Sequence, residues 1–295
     1  MYHGLINIYK EKGYTSHDVV AILRGVLKQK KIGHTGTLDP QAEGVLPVCL
    51  GKGTKLCDML TEKDKVYQVV LRLGIETDTE DMTGTVLKES DTSGLEESKV
   101  REVIHGFIGK QLQIPPMYSA IKVNGKKLYQ LAREGIVIER QGREIEVYRI
   151  EIIGMELPYV TMEIECSKGT YIRSICRDIG KKLSVGGAMQ ELVRTKVSSF
   201  YIKDSLKIEQ VKELLEKGTL ETYISPVDTP FLGFPQVVID EKYDKWLLNG
   251  NKLNSNWFSL QPTDSLVRVY DARNEFIGLY EWEKENLKPY KLFLG

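Results

Sequence analysis

The strongest constraint on the fold is the alternation of two hydrophobic periods along the chain. In residues 66–74, VYQVVLRLG, every second residue from Tyr67 to Leu73 is apolar, which is the period of a strand with one buried face. Residues 144–153 and 159–166 show the same alternation and predict two adjacent strands. Apolar residues recur instead at helical spacing in five segments: 17–27, 100–107, 128–131, 172–183 and 208–217. The mixture predicts an α+β domain.

A change in composition near residue 230 predicts a second, smaller unit. The chain has 295 residues, which is more than one ordinary core. Ser225–Pro226 and Thr229–Pro230 are typical of a linker. Beyond it, short strands are predicted at 236–239, 266–270 and 276–280, the last two as a hairpin. We therefore expect an α+β domain over 1–230 and a small β-rich module over 231–295.

The overall composition excludes several classes of protein. Lysine plus arginine and aspartate plus glutamate both number 41, so the chain is not coated with one sign of charge. No apolar stretch reaches the roughly 18 residues of a membrane span, and the start lacks the apolar core of a signal peptide. The four cysteines show no C-x-x-C spacing. We expect a cytoplasmic protein with idle thiols, without metal and without membrane contact.

The zero net charge conceals blocks of opposite sign. Residues 76–102 carry nine acidic and three basic side chains. Residues 110–150 carry eight basic and four acidic side chains, and residues 168–203 carry eight and two. Two basic blocks on one face would attract a polyanion. Chance alternation along solvated faces explains the same counts, and charge alone leaves both interpretations open.

The Gly- and Pro-rich segment 33–55 is expected to be an ordered loop followed by a short segment. Three glycines surround Asp39, and Pro40 restricts its backbone. A carboxylate on such a rigid loop suits catalysis, although an Asx turn would use the same residues. A phosphate-binding P-loop is excluded, since six residues separate Gly44 from Gly51 and glycine follows Lys52.

Residues 33–51, GHTGTLDPQAEGVLPVCLG, closely resemble the catalytic motif of the bacterial tRNA pseudouridine-55 synthases, the TruB family. Four more segments are similar to family motifs in the same order: KVYQVVLRLG at 65–74, PPMYSAIKVNGKKLYQLAREG at 115–135, SKGTYIRSICRDIG at 167–180 and ELVRTKVSSF at 191–200. The resemblance covers residues 5–230, and the tail looks like a shortened PUA-type RNA-binding module. One departure is Glu11, where the family usually has proline.

The resemblance implies a pseudouridine-synthase fold, with a mixed, mainly antiparallel sheet flanked by helices and an RNA-gripping insertion at about 111–143. It implies isomerisation of the T-loop uridine at tRNA position 55 to pseudouridine, by base flipping and without a cofactor. We expect a monomer that acts on the tRNA T-arm without an obligatory protein partner. Two alternatives stay open: a non-catalytic tRNA-folding chaperone on the same fold, and a synthase that works within guide-RNA complexes.

The family's site residues carry over position by position. By resemblance, Asp39 is the nucleophile, Arg173 keeps it ionised by lowering its pKa, and Tyr67 stacks on the target base. His34 would fill the space left by the flipped base, and Tyr171 and Leu192 would line the uridine pocket, with Leu192 on a helical face. The remaining expected RNA contacts are Lys10, Lys122, Lys126, Lys127 and Arg133, and the same groove is expected to include Lys168, Lys181, Lys182, Arg194 and Lys196. The sequence leaves open whether Asp39 attacks C1′ of the ribose or C6 of the base.

Overall fold

The computed structural model describes residues 1–294. Its α-helices are α1 Ser16–Val26, α2 Cys57–Thr61, α3 Glu97–His105, α4 Leu128–Arg133, α5 Ile172–Lys182, α6 Ile208–Glu216 and α7 Asp244–Leu248. Its strands are β1 Gly4–Lys10, β2 Ile32–His34, β3 Glu43–Leu50, β4 Lys65–Leu73, β5 Ile75–Thr77, β6 Val86–Glu89, β7 Gly109–Gln113, β8 Lys122–Val123, β9 Lys126–Lys127, β10 Arg143–Glu156, β11 Tyr159–Cys166, β12 Gly187–Val197, β13 Phe200–Tyr201, β14 Ile224–Ser225, β15 Gln236–Val238, β16 Leu253–Asn254, β17 Val267–Tyr270, β18 Phe276–Glu283 and β19 Asn286–Leu292.

A large sheet organises the first 225 residues. Its strands run in the order β14–β1–β3–β12–β4–β11–β10–β7, with β2 on β3 and β13 on β12. All of these pairs are antiparallel except β3–β12, which is parallel. The predicted mixed, mainly antiparallel sheet is therefore confirmed. Strands β3 and β12 meet at its centre, and the loop that carries Asp39 enters there.

The predicted patterns form the core around this sheet. The apolar face of β4 is buried from Tyr67 to Leu73 and packs with α3 and α5 in one cluster. Helix α1 begins at Ser16, because the Thr15 side chain accepts a hydrogen bond from the Asp18 amide and the Asp18 carboxylate accepts one from the Thr15 amide. Val19, Val20 and Leu23 of α1 are buried against β1 and β3 in a second cluster.

Two central strands, β3 and β12, were not predicted from the sequence. Residues 43–50 were expected to be a short segment after a loop, yet they form β3, which is buried on both faces and so lacks alternation. The strand β12 has bulges between Met189 and Glu191 and between Arg194 and Lys196, which break its period. The expectation that Leu192 lies on a helical face was therefore wrong, since Leu192 belongs to β12.

The C-terminal residues form a separate five-stranded sheet in the order β15–β17–β18–β19–β16. The predicted hairpin is confirmed as the antiparallel pair β17–β18. The module packs on the large sheet through Phe231, Leu279 and Phe293, which share a core cluster with Leu5 and Val45. Among residues 1–294, no helix is long and apolar enough to cross a membrane.

Candidate active site

The loop between β2 and β3 holds Asp39 through backbone and hydroxyl contacts. The Leu38 amide donates to Ser16 Oγ at 2.9 Å, and the Ala42 amide donates to the Asp39 carbonyl at 3.0 Å. The Gly13 amide donates to the Pro40 carbonyl at 2.8 Å. These contacts fix the loop through main-chain carbonyls and the Ser16 hydroxyl, and none of them uses the Asp39 carboxylate. The arrangement favours the catalytic interpretation of Asp39 over the Asx turn.

The Asp39 carboxylate faces Arg173 at the first turn of α5. Arg173 Nε lies 2.9 Å from Asp39 Oδ2, and the Arg173 side chain is only 6% exposed whereas that of Asp39 is 37% exposed. The same guanidinium donates to the Thr79 carbonyl at 3.0 Å and to the Tyr118 carbonyl at 2.9 Å. Arg173 is thus fixed from three sides and presents one face to a carboxylate that opens into the cleft.

The electrostatic balance at Asp39 differs from the sequence expectation. Removal from water raises the pKa of Asp39 above its ordinary value, and Arg173 opposes that rise without cancelling it. Arg173 therefore acts in the predicted direction, but desolvation is the larger effect. The carboxylate loses its charge at a higher pH than an exposed aspartate would.

Tyr67 and Arg194 lie opposite each other on the adjacent strands β4 and β12. Burial raises the pKa of Tyr67, so it remains a phenol at neutral pH, and the Arg194 side chain beside it acts in the opposite sense. Arg194 Nε donates to the Val45 carbonyl at 2.7 Å, and its Nη2 donates to the Gly36 carbonyl at 3.2 Å. Because Arg194 is 1% exposed, the expectation that it lines an RNA groove was wrong. It ties Tyr67 to the loop that carries Asp39.

His34 ends β2 at the entrance of the same loop. Its Nδ1 accepts a hydrogen bond from the Gly36 amide at 3.3 Å, and its Nε2 lies 3.3 Å from His17 Nδ1. Burial, together with the nearby His17, lowers the pKa of His34 to about 4. The ring is therefore neutral at physiological pH, which suits packing against a base better than pairing with a phosphate.

Tyr171 and Leu192, the two predicted pocket residues, lie on different elements, at the start of α5 and on β12. Tyr171 precedes α5, and its backbone is held by Gln113, whose side chain accepts from the Tyr171 amide at 2.9 Å and donates to its carbonyl at 3.0 Å. Leu192 lines a cavity of about 170 Å³ together with Gln41 and Asp81. Tyr171 is not among the residues that line this cavity, so the structure does not bring the two predicted pocket residues together there.

Lys10 has a different position from the one expected of an RNA contact. It is fully buried, and its Nζ donates to the carbonyls of Glu11, Tyr14 and Pro40 at 3.1, 2.6 and 3.2 Å. Burial lowers the pKa of Lys10 to about 8. A direct contact with the substrate is therefore excluded in this conformation. Lys10 instead stabilises the backbone next to Asp39 through these carbonyl contacts.

Four of the other predicted cations lie on a small hairpin and helix within the insertion. Strands β8 and β9 carry Lys122, Lys126 and Lys127, and α4 carries Arg133. Lys127 Nζ and the Arg133 guanidinium lie 5.5 and 5.4 Å from the centre of the Tyr129 ring. Two of these cations, Lys127 and Arg133, are thus grouped around one aromatic ring.

Two acidic residues of the site were not identified from the sequence, where they belong to the acidic block 76–102. Glu80 and Asp81 are 7% and 8% exposed. Asp81 Oδ2 lies 3.8 Å from Arg173 Nη1, and Asp81 Oδ1 accepts hydrogen bonds from Thr79 and Thr83. A local run of Asp, Thr and Glu is the only sequence signal, and it also fits an exposed turn. Within residues 1–294, no group of three or more His, Cys, Asp and Glu is arranged to hold a metal ion.

Comparison with known proteins identifies the family. Residues 24–172 match the TruB family pseudouridylate synthase N-terminal domain, and residues 173–231 match the tRNA pseudouridylate synthase B C-terminal domain. Residues 235–293 match the pseudouridine synthase II TruB C-terminal region. The chain belongs to the TruB family of pseudouridine synthases. The family predicted from the motifs is therefore confirmed, and this TruB-family chain is an enzyme.

Relatives and solved structures agree with this membership. The chain is 52% identical to the tRNA pseudouridine synthase B of Lachnoclostridium phytofermentans, over 99% of this chain and all of that protein. It is 45% identical to the tRNA pseudouridine synthase B of Clostridium tetani, over 99% and 100%. A crystal structure of a Cbf5–Nop10–Gar1 complex matches with a TM-score of 0.75 and 27% identity, over 99% of this chain and 85% of that one. The predicted fold class is confirmed.

Proposed function

We propose that this chain isomerises a uridine of tRNA to pseudouridine, and that the uridine is the one at position 55 in the T-loop. The observation that carries the proposal is the ion pair between Asp39 and Arg173 at 2.9 Å, with Asp39 partly open to the cleft. Membership of the TruB family supports the reaction, and the names of the curated relatives support tRNA as the substrate. The motif resemblance supports the T-loop position.

In the proposed reaction Asp39 is the nucleophile and must be ionised. It attacks C1′ of the ribose or C6 of the base, and the N1–C1′ bond breaks. The base then turns, C5 forms a bond with C1′, and the bond between Asp39 and C1′ or C6 breaks, which frees the carboxylate. The C5 proton leaves, and N1 is protonated. Arg173 opposes the effect of burial on Asp39 and so keeps a larger fraction of the carboxylate charged. No atom is gained or lost, since the product is an isomer of the substrate.

Tyr67 is proposed to stack on the target base and to stay protonated while it does so. Its buried phenol lies beside Arg194, which is held by the Val45 and Gly36 carbonyls. Arg194 therefore connects Tyr67, on which the base stacks, to the loop that carries Asp39. Stacking on an aromatic ring contributes on the order of 1–3 kcal/mol per base, which offsets part of the few kcal/mol needed to extrude it.

His34 and the insertion are proposed to hold the opened RNA. The neutral His34 ring can fill the space that the flipped base leaves. Lys122, Lys126 and Arg133 are exposed and carry charge suited to phosphates, which position a nucleic acid without reading its sequence. The remaining segment, 231–295, is proposed to be a PUA-like RNA-binding module beside a catalytic domain over 1–230. The chain is proposed to act in the cytoplasm as a monomer on free tRNA, without a partner protein.

The test is a map of pseudouridine in an unmodified T-arm RNA at single-nucleotide resolution, without added metal or cofactor. Wild type and Asp39→Asn are compared, and filter binding measures RNA affinity for both. We expect product at the T-loop uridine from the wild type only, with similar affinity. Equal product from both proteins would refute the assignment of Asp39. RNA binding without product from either protein would refute the proposed substrate and leave the chaperone alternative.

A further inference from the structure

A second arginine of α5 repeats the contacts of Arg173 one turn further along the helix. Arg173 and Arg177 are four residues apart and therefore share one face of α5. Arg173 donates to the Thr79 carbonyl and the Tyr118 carbonyl. Arg177 forms an ion pair with Glu80 and donates to the Ile114 carbonyl at 3.2 Å. Each arginine thus bridges the same two segments, 78–84 and 114–119.

Glu80 is held unusually firmly for a residue in a loop. Its Oε2 accepts a hydrogen bond from Ser174 Oγ at 2.7 Å, so two residues of α5, Ser174 and Arg177, bind its carboxylate. The Glu80 backbone has φ of +64°, a left-handed conformation that residues other than glycine adopt only rarely. Its carbonyl accepts from the Met189 amide of β12 at 3.0 Å. Glu80 therefore links α5 to the central sheet beside the site.

The segment 114–119 lies at the root of the predicted RNA-gripping insertion. The carbonyls of Ile114 and Tyr118 connect that segment to α5. Tyr118 is held by the guanidinium that also contacts Asp39, and Ile114 is held by Arg177. Fixing Ile114 and Glu80 restricts both segments from which Arg173 takes its own contacts.

We propose that Arg177, through Glu80 and the Ile114 carbonyl, is a positioning residue that couples the seating of the RNA-gripping insertion to the alignment of Arg173 with Asp39. The inference rests on the proposed function and adds a residue to it. Arg177 is 26% exposed and makes no contact with Asp39, so it acts through Arg173. Its planar fork binds a carboxylate and a carbonyl at once, which a lysine does only in part.

The test compares Arg177→Met, Arg177→Lys and Glu80→Gln with the wild type. The matched control is Arg101→Met, because Arg101 forms an exposed ion pair with Glu97 on α3. Three quantities are measured for each: the single-turnover rate of pseudouridine formation at saturating enzyme as a function of pH, the affinity for T-arm RNA, and amide hydrogen exchange of residues 78–84 and 114–119 in the free protein.

We expect Arg177→Met to slow the single-turnover step by about tenfold or more, since it removes the ion pair with Glu80 and the hydrogen bond to the Ile114 carbonyl, besides the ion pair with the neighbouring Asp178. The acid limb of its rate profile moves to higher pH, because a less well placed Arg173 opposes the burial of Asp39 less. Exchange in both segments becomes faster and RNA affinity is unchanged. Arg177→Lys restores part of the rate, Glu80→Gln follows Arg177→Met, and Arg101→Met matches the wild type.

An unchanged rate and acid limb in Arg177→Met would overturn the proposal. A loss confined to RNA affinity would also overturn it and make Arg177 an RNA contact. If Arg177→Met does not fold, Glu80→Gln carries the same comparison. If the wild type makes no pseudouridine, the proposed function fails separately. Hydrogen exchange then decides the inference, since unchanged exchange in 78–84 and 114–119 would refute the coupling.

Discussion

Gly44 lies where the loop of Asp39 becomes β3 and meets β12, and replacing it with alanine tests how tightly that junction is packed. Gly44 has φ of +106°, and a Cβ there would lie 2.2 Å from the Arg194 carbonyl oxygen. Ordinary van der Waals contact begins at 3.4 Å, so the two strands would have to separate by 1.2 Å. Arg194 moves with its backbone, and with it the guanidinium that holds the Gly36 carbonyl.

Two effects contribute to the cost of Gly44→Ala. A non-glycine residue at such a φ costs on the order of 1–3 kcal/mol. Overpacking in a rigid interior costs roughly 1–3 kcal/mol more. We therefore expect the free energy of unfolding to fall by about 2–6 kcal/mol. The rate of pseudouridine formation should fall by about a hundredfold, since a shift of about 1 Å in a site can cost that much.

Two other glycines separate the contributions. Gly109 has φ of +108° but nothing within 4 Å of its Cβ position, so Gly109→Ala reports backbone strain alone. Gly154 has neither a left-handed φ nor an atom within 4 Å of its Cβ position. Gly154→Ala therefore measures only the change in the conformational entropy of the unfolded chain. Urea unfolding is followed by far-UV circular dichroism, because all three tryptophans lie in the C-terminal module at 246, 257 and 282. If Gly44→Ala is no less stable than Gly109→Ala, the argument from overlap with β12 is refuted.

Three further results are expected. Arg173→Lys slows the reaction about tenfold or more and moves its acid limb to higher pH, because burial then raises the pKa of Asp39 with less opposition; an unmoved limb in the pH–rate profile would contradict this. Burial lowers the pKa of Lys10 to about 8, so the unfolded chain holds that proton more tightly and stability rises from about pH 8 towards the ordinary lysine pKa. Burial lowers the pKa of Lys65 to about 8 as well, so Lys10→Met loses only part of this rise in urea titrations, and a rise of unchanged size would show that Lys10 does not contribute to it. Replacing Lys122 and Lys126 by alanine lowers the slope of log affinity against log salt by about 1–2 if both contact phosphates, whereas an equal slope excludes those contacts.

The sequence predicted those helices and strands whose apolar residues recur with a single, regular hydrophobic period. Strand β4 alternates because only one of its faces packs on helices, and α1 carries its own cap in Thr15. Strands β3 and β12 have no such signal, since β3 is buried on both faces and β12 is bulged. Their parallel pairing, which creates the site, depends on contacts between residues about 150 positions apart.

The candidate site divides in the same way. The motif around Asp39 and the motif around Arg173 were readable because each is a continuous run of residues, and family resemblance gave their roles. The sequence did not show whether a given cation faces RNA or the protein interior. A lysine or arginine that binds phosphate has the same one-letter code as one that binds backbone carbonyls. Lys10 and Arg194 were therefore assigned to the RNA, although both are buried.

The sequence by itself determined the family, the α+β class, the separate C-terminal module and the identity of the residue proposed as nucleophile, because local period and contiguous motifs encode them. Only the tertiary structure decided that desolvation outweighs Arg173 at Asp39, since that balance depends on groups brought together from β1, α5 and the loop 78–84. It also revealed Glu80, Asp81 and Arg177 around Arg173. Burial and ion pairing depend on distance in space, which a linear pattern of residue types does not contain.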